Sequence, residues 1–137
     1  MSTSMQCVVV TPERTVVDQR AEFVALPLFD GEIGIAPGHT PMIGRLGCGE
    51  LRIRGGEETS RFYVEGGFVE VLGELVSVLT NRAVAAEELD AEVAEEQLDS
   101  TQRRPAHADE EFAERDRLAG QLRAQIRVAH RALPSSR

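Results

Sequence analysis

The chain has 137 residues, 42% of them hydrophobic, and a formal net charge of −8. That is room for one or two small domains with a core of their own. All fifteen basic residues are Arg, and the acidic balance excludes nucleic acid as a main partner and disfavours anionic lipid, because both need basic patches.

Short apolar runs separated by Gly, Pro and polar turns fill the first part of the chain. Residues 6–10 are a β-branched run stopped by Thr11-Pro12. Residues 15–17 form a second strand, with a polar turn at 18–20. Residues 22–28 form a third, whose Pro27 marks a strand end or an edge. Met42–Arg45 is a short strand and 47–49 a turn. Residues 50–54 (Glu-Leu-Arg-Ile-Arg) alternate polar and apolar, the pattern of a half-buried strand. Gly55-Gly56 begins a hairpin turn. Residues 61–71 read as strand interrupted by Gly66-Gly67, a place for a bulge, a bend or close backbone approach. Residues 75–79 are an apolar run, consistent with a strand buried on both faces. Such spacing predicts a β-sandwich or a flattened barrel.

After Ala83 the character changes. Residues 87–99 hold seven acids and no base, Gly or Pro. Leu89, Val93, Ala94 and Leu98 share one face at helical spacing. Residues 100–108, with Pro105, break the helix, and Asp109 is a plausible N-cap for the next. There Phe112, Ala119, Leu122, Ile126, Ala129 and Leu133 form one apolar seam, interrupted by Arg115, weakened at Gly120 and ended by Pro134. Two such helices make an antiparallel hairpin. Its thin apolar face, at about 25 cal/mol per Å², predicts a marginal hold on the rest of the chain.

Residues 30–41 (Asp-Gly-Glu-Ile-Gly-Ile-Ala-Pro-Gly-His-Thr-Pro) are the densest motif, in which only 33–35 looks like strand. Three readings stay open on the residues alone: a structural turn, an enzyme or metal site of Asp30, Glu32 and His39, and a protein-docking loop. Metal ligation needs converging ligands, and His107 and His130 lie far off in the helical tail. No phosphate-binding loop, nucleophile elbow or dinucleotide fingerprint is present. Cys7 and Cys48 sit beside apolar residues and read as free thiols, which fits a reducing cytoplasm. No run of residues approaches the length of a membrane helix, and none at the N-terminus resembles a signal peptide.

The 30–41 block resembles the signature loop of the epsilon subunits of F-type ATP synthases. Residues 62–71 (Phe-Tyr-Val-Glu-Gly-Gly-Phe-Val-Glu-Val) and 76–80 are similar to that family's second signature, and the acidic and Arg-bearing helices follow in family order. The resemblance implies an α+β chain: an N-terminal antiparallel β-sandwich of about ten strands over 1–86, then a C-terminal αα-hairpin over 87–137 with a regulatory role. It implies a non-catalytic rotor subunit in the central stalk, without cofactors. Such a subunit helps couple proton or sodium flow through the membrane ring to rotation of gamma and to ATP synthesis.

Carried over by position, Asp30, Gly31, Glu32, Ile33 and Gly34 would contact the membrane ring, with Glu32 at the loop tip meeting Arg-bearing loops. His39, Pro41 and Met42 would lie near gamma. Arg123, Arg127 and Arg131, four residues apart, would form the ridge by which the extended tail meets the catalytic head and inhibits hydrolysis. The partners implied are gamma, the ring and the head. The place implied is peripheral, on the cytoplasmic face of a bacterial plasma membrane, with the membrane touched only through the complex. One departure stands out. ATP-binding members carry Arg in the stretch that here reads Leu89-Asp90-Ala91-Glu92-Val93-Ala94, so ATP sensing is not expected. The alternatives are a free-standing sandwich adaptor with a partner-binding tail, and a small enzyme using Asp30, Glu32 and His39.

Overall fold

The computed structural model describes residues 4–132. Leu133 and Pro134, the last seam position and the helix stop expected above, lie outside the described residues. The alternating runs pair as ten strands: β1 (Met5–Val10), β2 (Thr15–Ala21), β3 (Phe23–Leu28), β4 (Gly31–Ile35), β5 (Met42–Arg45), β6 (Cys48–Gly55), β7 (Glu58–Glu65), β8 (Phe68–Leu72), β9 (Leu75–Leu79) and β10 (Ala83–Ala85). A single 3₁₀ turn at Ala86–Glu88 leads to α1 (Ala91–Arg103) and α2 (Asp109–Ala132). One sheet runs in the order β2-β1-β9-β8-β5, the other β10-β7-β6-β3-β4. Every pairing is antiparallel except β1 with β9, which is parallel. The expected sandwich and hairpin are therefore both present.

Successive side chains on a strand point to opposite faces, so each sheet sends one set inward. Met5, Cys7, Val9, Val69, Val71, Val76 and Val78 of the first sheet meet Val24, Leu26, Ile35, Leu51, Ile53 and Val64 of the second. The core is aliphatic, as the scarcity of aromatic residues requires. Burial pushes the Cys7 thiol up to about 12 from 9.0. A raised pKa means that this contribution to stability is complete below the unfolded value and is lost as pH climbs towards the folded one. Between pH 8 and roughly pH 10.5 the loss from this group comes to about 2 kcal/mol. The urea midpoint of the native chain should be lower at pH 10.5 than at pH 8 by an amount that includes this loss, and Cys7→Ala should abolish this share of the difference.

Several boundaries differ from the sequence expectation, each for a physical reason. β2 runs on through Asp18, Gln19 and Arg20, which pair with Val8, Cys7 and Gln6; their polar side chains belong to a solvent-facing edge. The expected strand over 61–71 is two strands in different sheets. Gly66 and Gly67, both with positive φ, carry the chain from one layer to the other. β6 starts at Cys48, inside the expected turn at 47–49. α1 begins at Ala91, because the side chain of Asp90 accepts a hydrogen bond from the Val93 amide at 3.2 Å and caps the helix there. It continues to Arg103, with buried Thr101 bonded to the Gln97 carbonyl at 2.7 Å. Asp109 is the first residue of α2.

Candidate functional site

The densest motif folds as an edge hairpin. Phe29 and Asp30 make the exposed turn between β3 and β4, and Arg45 lies over the Phe29 ring at 4.9 Å. The strand expected at 33–35 is present and starts two residues earlier, so that Gly31, Glu32, Ile33 and Gly34 pair with Leu28, Pro27, Leu26 and Ala25. Gly and Glu are poor strand formers, which hid the first half of β4. Glu32 accordingly lies not at a loop tip but on the open edge, 3.4 Å from the Arg52 guanidinium. At Gly34 a Cβ would come within 2.7 Å of the Phe23 ring, so the missing side chain serves packing inside the sheet.

His39 closes a turn, its amide donating to the Ala36 carbonyl at 3.1 Å and its Nδ1 lying 2.7 Å from the Thr40 carbonyl oxygen. Pro41 is exposed. Met42 packs inward against the core opposite Val71, and the neighbouring Ile43 is the residue that faces out, 73% exposed. Asp30, Glu32 and His39 therefore have separate surroundings. Among the described residues, no three His, Cys, Asp or Glu side chains converge as a metal site requires.

The tail packs on the β6–β7 part of the outer face of the second sheet. Ala124 and Val128 of α2 form a small cluster with Tyr63 and Ala86, and Cys48 and Leu89 pack against it. Ala119, Leu122 and Ala129 are buried as well, on the seam expected between the helices. Phe112 is exposed, with Arg115 at 5.0 Å over its ring. Val93, expected on the buried face of the first helix, is also exposed. Polar groups thread the same interface. The Tyr63 hydroxyl donates to Glu65 at 2.8 Å, and burial first, then Glu65, push its pKa up.

Beside this cluster lies a feature that sequence reasoning missed. Glu50, on the polar side of the alternating strand, is only 4% exposed. Its Oε1 is 3.1 Å from Arg52, 3.2 Å from Arg61 and 3.5 Å from Arg131, and its buried Oε2 has no partner. The alternation assigned Glu50 to a polar face, but the helix that covers it arrives eighty-one residues later. Of the expected Arg ridge, Arg131 is thus engaged by the sandwich. Arg123 and Arg127 are exposed, and neither makes an ion pair among the described residues.

The outer face of the first sheet is bare. Ile43, Phe68, Leu72, Leu75 and Leu79 project from β5, β8 and β9 and are between 41% and 73% exposed. Phe68 stands opposite Leu79, and Leu72 opposite Leu75. The expectation that β9 is buried on both faces fails here, since among the described residues nothing covers Leu75 or Leu79, which are 41% and 54% exposed. The inward positions Val76 and Val78 are buried as the apolar pattern requires, while the outward ones are exposed.

Clefts of about 260–430 Å³ indent the surface beside β2, between the helices and beside Arg61 and Glu87, away from Asp30, Glu32 and His39. Among the described residues no helix is long and apolar enough to cross a membrane. A two-layer β-sandwich with a helical hairpin packed on one outer face, and large apolar side chains exposed on the other, defines the class: a small sandwich-plus-hairpin protein.

Comparison with known proteins agrees. The model of the ATP synthase delta/epsilon chain β-sandwich domain matches residues 4–86. The ATP synthase epsilon chain of Rhodopirellula baltica is 44% identical over 126 residues, covering 92% of this chain and 98% of the relative. That of Solibacter usitatus is 36% identical over 129 residues, covering 94% and 96%. The chain belongs to the ATP synthase delta/epsilon family. Two solved assemblies contain chains of the same fold. One is the Euglena gracilis mitochondrial ATP synthase (OSCP/F1/c-ring), at TM-score 0.74 and 18% identity, covering 95% of this chain and 79% of that one. The other is the Tetrahymena thermophila mitochondrial ATP synthase central stalk and c-ring, at TM-score 0.72 and 14% identity, covering 91% and 96%.

Proposed function

We propose that this chain is the non-catalytic rotor subunit that fastens gamma to the membrane ring of a rotary ATP synthase. In this role it helps couple ion flow to ATP synthesis, and its hairpin restrains hydrolysis. The observation that carries the reading is the bare face of the first sheet. Five large apolar side chains on adjacent strands remain in water in the isolated chain, and exposed patches of that kind mark protein interfaces. Gamma is the partner assigned to it, with Ile43 as the outward neighbour of the Pro41-Met42 pair.

Asp30, Gly31, Glu32, Ile33 and Gly34 form the edge assigned to the ring. For Glu32 to meet a ring guanidinium it must exchange its contact with Arg52. That contact is long at 3.4 Å and exposed, so exchange costs little. Residues 1–86 act as the dock and 87–137 as the movable part. The small residues and polar contacts beneath α2 suit an element that leaves and returns, because little apolar area holds it. Exposed Val93 at the position of the family's Arg offers nothing to a phosphate, and no nucleotide is assigned to the hairpin. The chain sits at the cytoplasmic face of a bacterial plasma membrane through its partners.

The test is ATP hydrolysis by the catalytic head with gamma, to which either the full chain or a chain ending at Ala86 is added. Both should bind, and only the full chain should slow turnover, several-fold or more. Equal slowing by both would remove the brake from the tail. Failure of both to bind would remove the rotor assignment itself.

A further inference from the structure

We infer that Glu50 is a charge latch for the tail. It holds the docked hairpin by sequestering Arg131, one of the three arginines assigned to the inhibitory ridge, so that docking and inhibition compete for the same guanidinium. Three guanidinium groups crowd onto one oxygen of a buried carboxylate, and only the one from α2 belongs to the movable element. The sandwich supplies Arg52 and Arg61 on neighbouring strands, directly opposite each other in the β6–β7 ladder. The other carboxylates nearby are Glu32, on Arg52, and Glu87, which shares a surface cleft with Arg61 and Arg131.

The arrangement makes the sign of the interaction depend on Glu50. With its charge present, the site attracts Arg131. Without it, Arg52 and Arg61 form a basic patch that repels the end of α2. Removing one partner of a buried charge group is far more disruptive than removing an exposed one. Neutralising Glu50 should therefore open the tail more than neutralising Arg131, even though both break the same contact. Neutralising Arg131 in addition should restore docking, because the repelled charge is then gone. A carboxylate that merely supported the sandwich would show no such rescue.

The chain carries its own reporters. Cys48 is half-buried beneath α2, and Cys7 is sealed in the core. The rate at which an uncharged dipyridyl disulfide labels Cys48 in the full chain counts tail openings, and labelling of Cys7 counts loss of the sandwich. Glu50→Gln should label Cys48 about tenfold faster than the native chain or more. Arg131→Gln should do so about two- to fivefold faster, and the double variant should fall back to the Arg131→Gln rate.

A Glu50→Gln rate no faster than native would overturn the latch, as would a double variant as fast as Glu50→Gln. Should Cys7 also become reactive in Glu50→Gln, the Arg131→Gln chain decides alone, and an unchanged Cys48 rate there overturns the proposal. The consequence for inhibition rests on the tail being the brake, and the hydrolysis assay tests that separately. Faster labelling in Glu50→Gln together with stronger inhibition supports both statements. Faster labelling without any inhibition keeps the latch and discards the brake.

Discussion

Gly67→Ala should cost the chain about 4 kcal/mol of stability or more, a large share of what a small domain has. Gly67 holds φ +101°, where an L side chain is strained. A Cβ there would sit 1.9 Å from the Leu79 carbonyl oxygen and 2.8 Å from the Leu79 carbonyl carbon and the Thr80 Cα. Those are backbone atoms at the end of β9, and no rotamer change moves them aside. The Gly67 carbonyl also accepts from the Leu46 amide at 2.9 Å, so a shift of the chain would break a bond across the crossing. Gly73 gives the control. Its φ is +62° with open space around it, and Gly73→Ala should cost only about 1–2 kcal/mol. Urea midpoints of the two variants decide the matter, and equal losses would mean that strain alone, without the overlap, governs position 67.

That crossing also shows where sequence reasoning stops. The pair Gly66-Gly67 signalled an irregularity within a strand, which is what a glycine pair can signal. Whether it bends one strand or hands the chain to another sheet depends on what lies across the core, and local pattern carries no information about that. The strands themselves were legible, because alternation at 50–54 and the β-branched runs at 6–10 and 75–79 follow from pleating and burial. β4 was half legible, its unread residues Gly31 and Glu32 being poor strand formers held by pairing with β3.

The site divides along the same line. The helix itself was legible in the acidic run at 87–99, but with so many acids in that run the one that caps it, Asp90, did not stand out. The burial of Glu50 was not legible, since the helix covering it is remote in sequence. Nor was the second stripe of α2, made of Ala124, Gln125 and Val128. Small and polar residues do not stand out as a face in any periodicity count. One signal was misassigned rather than missing. The apolar run at 75–79 was consistent with two covered faces, and among the described residues only one is covered.

The uncovered face leads to the second large effect. Phe68→Glu with Leu79→Glu should weaken binding to gamma by about a hundredfold or more, equivalent to roughly 2.7 kcal/mol. The two side chains are cross-strand partners, 57% and 54% exposed. Burying a large apolar side chain at an interface is worth about 1.5–3 kcal/mol, and well-packed aromatic and aliphatic anchors carry most of such an interface. A carboxylate in their place adds the cost of dehydrating an unpaired charge. The isolated chain should tolerate the change, because both positions already face water. Its urea midpoint should move by less than about 1 kcal/mol equivalent. Arg54→Glu, exposed on the opposite face of the sandwich, should bind gamma as the native chain does. Titration calorimetry against the gamma-bearing head distinguishes the outcomes. If the double variant binds undiminished, gamma docks elsewhere and the apolar face belongs to another partner. If Arg54→Glu weakens binding equally, the face seated on gamma is the one beside the tail, reached at a part of the second sheet that the docked hairpin leaves exposed.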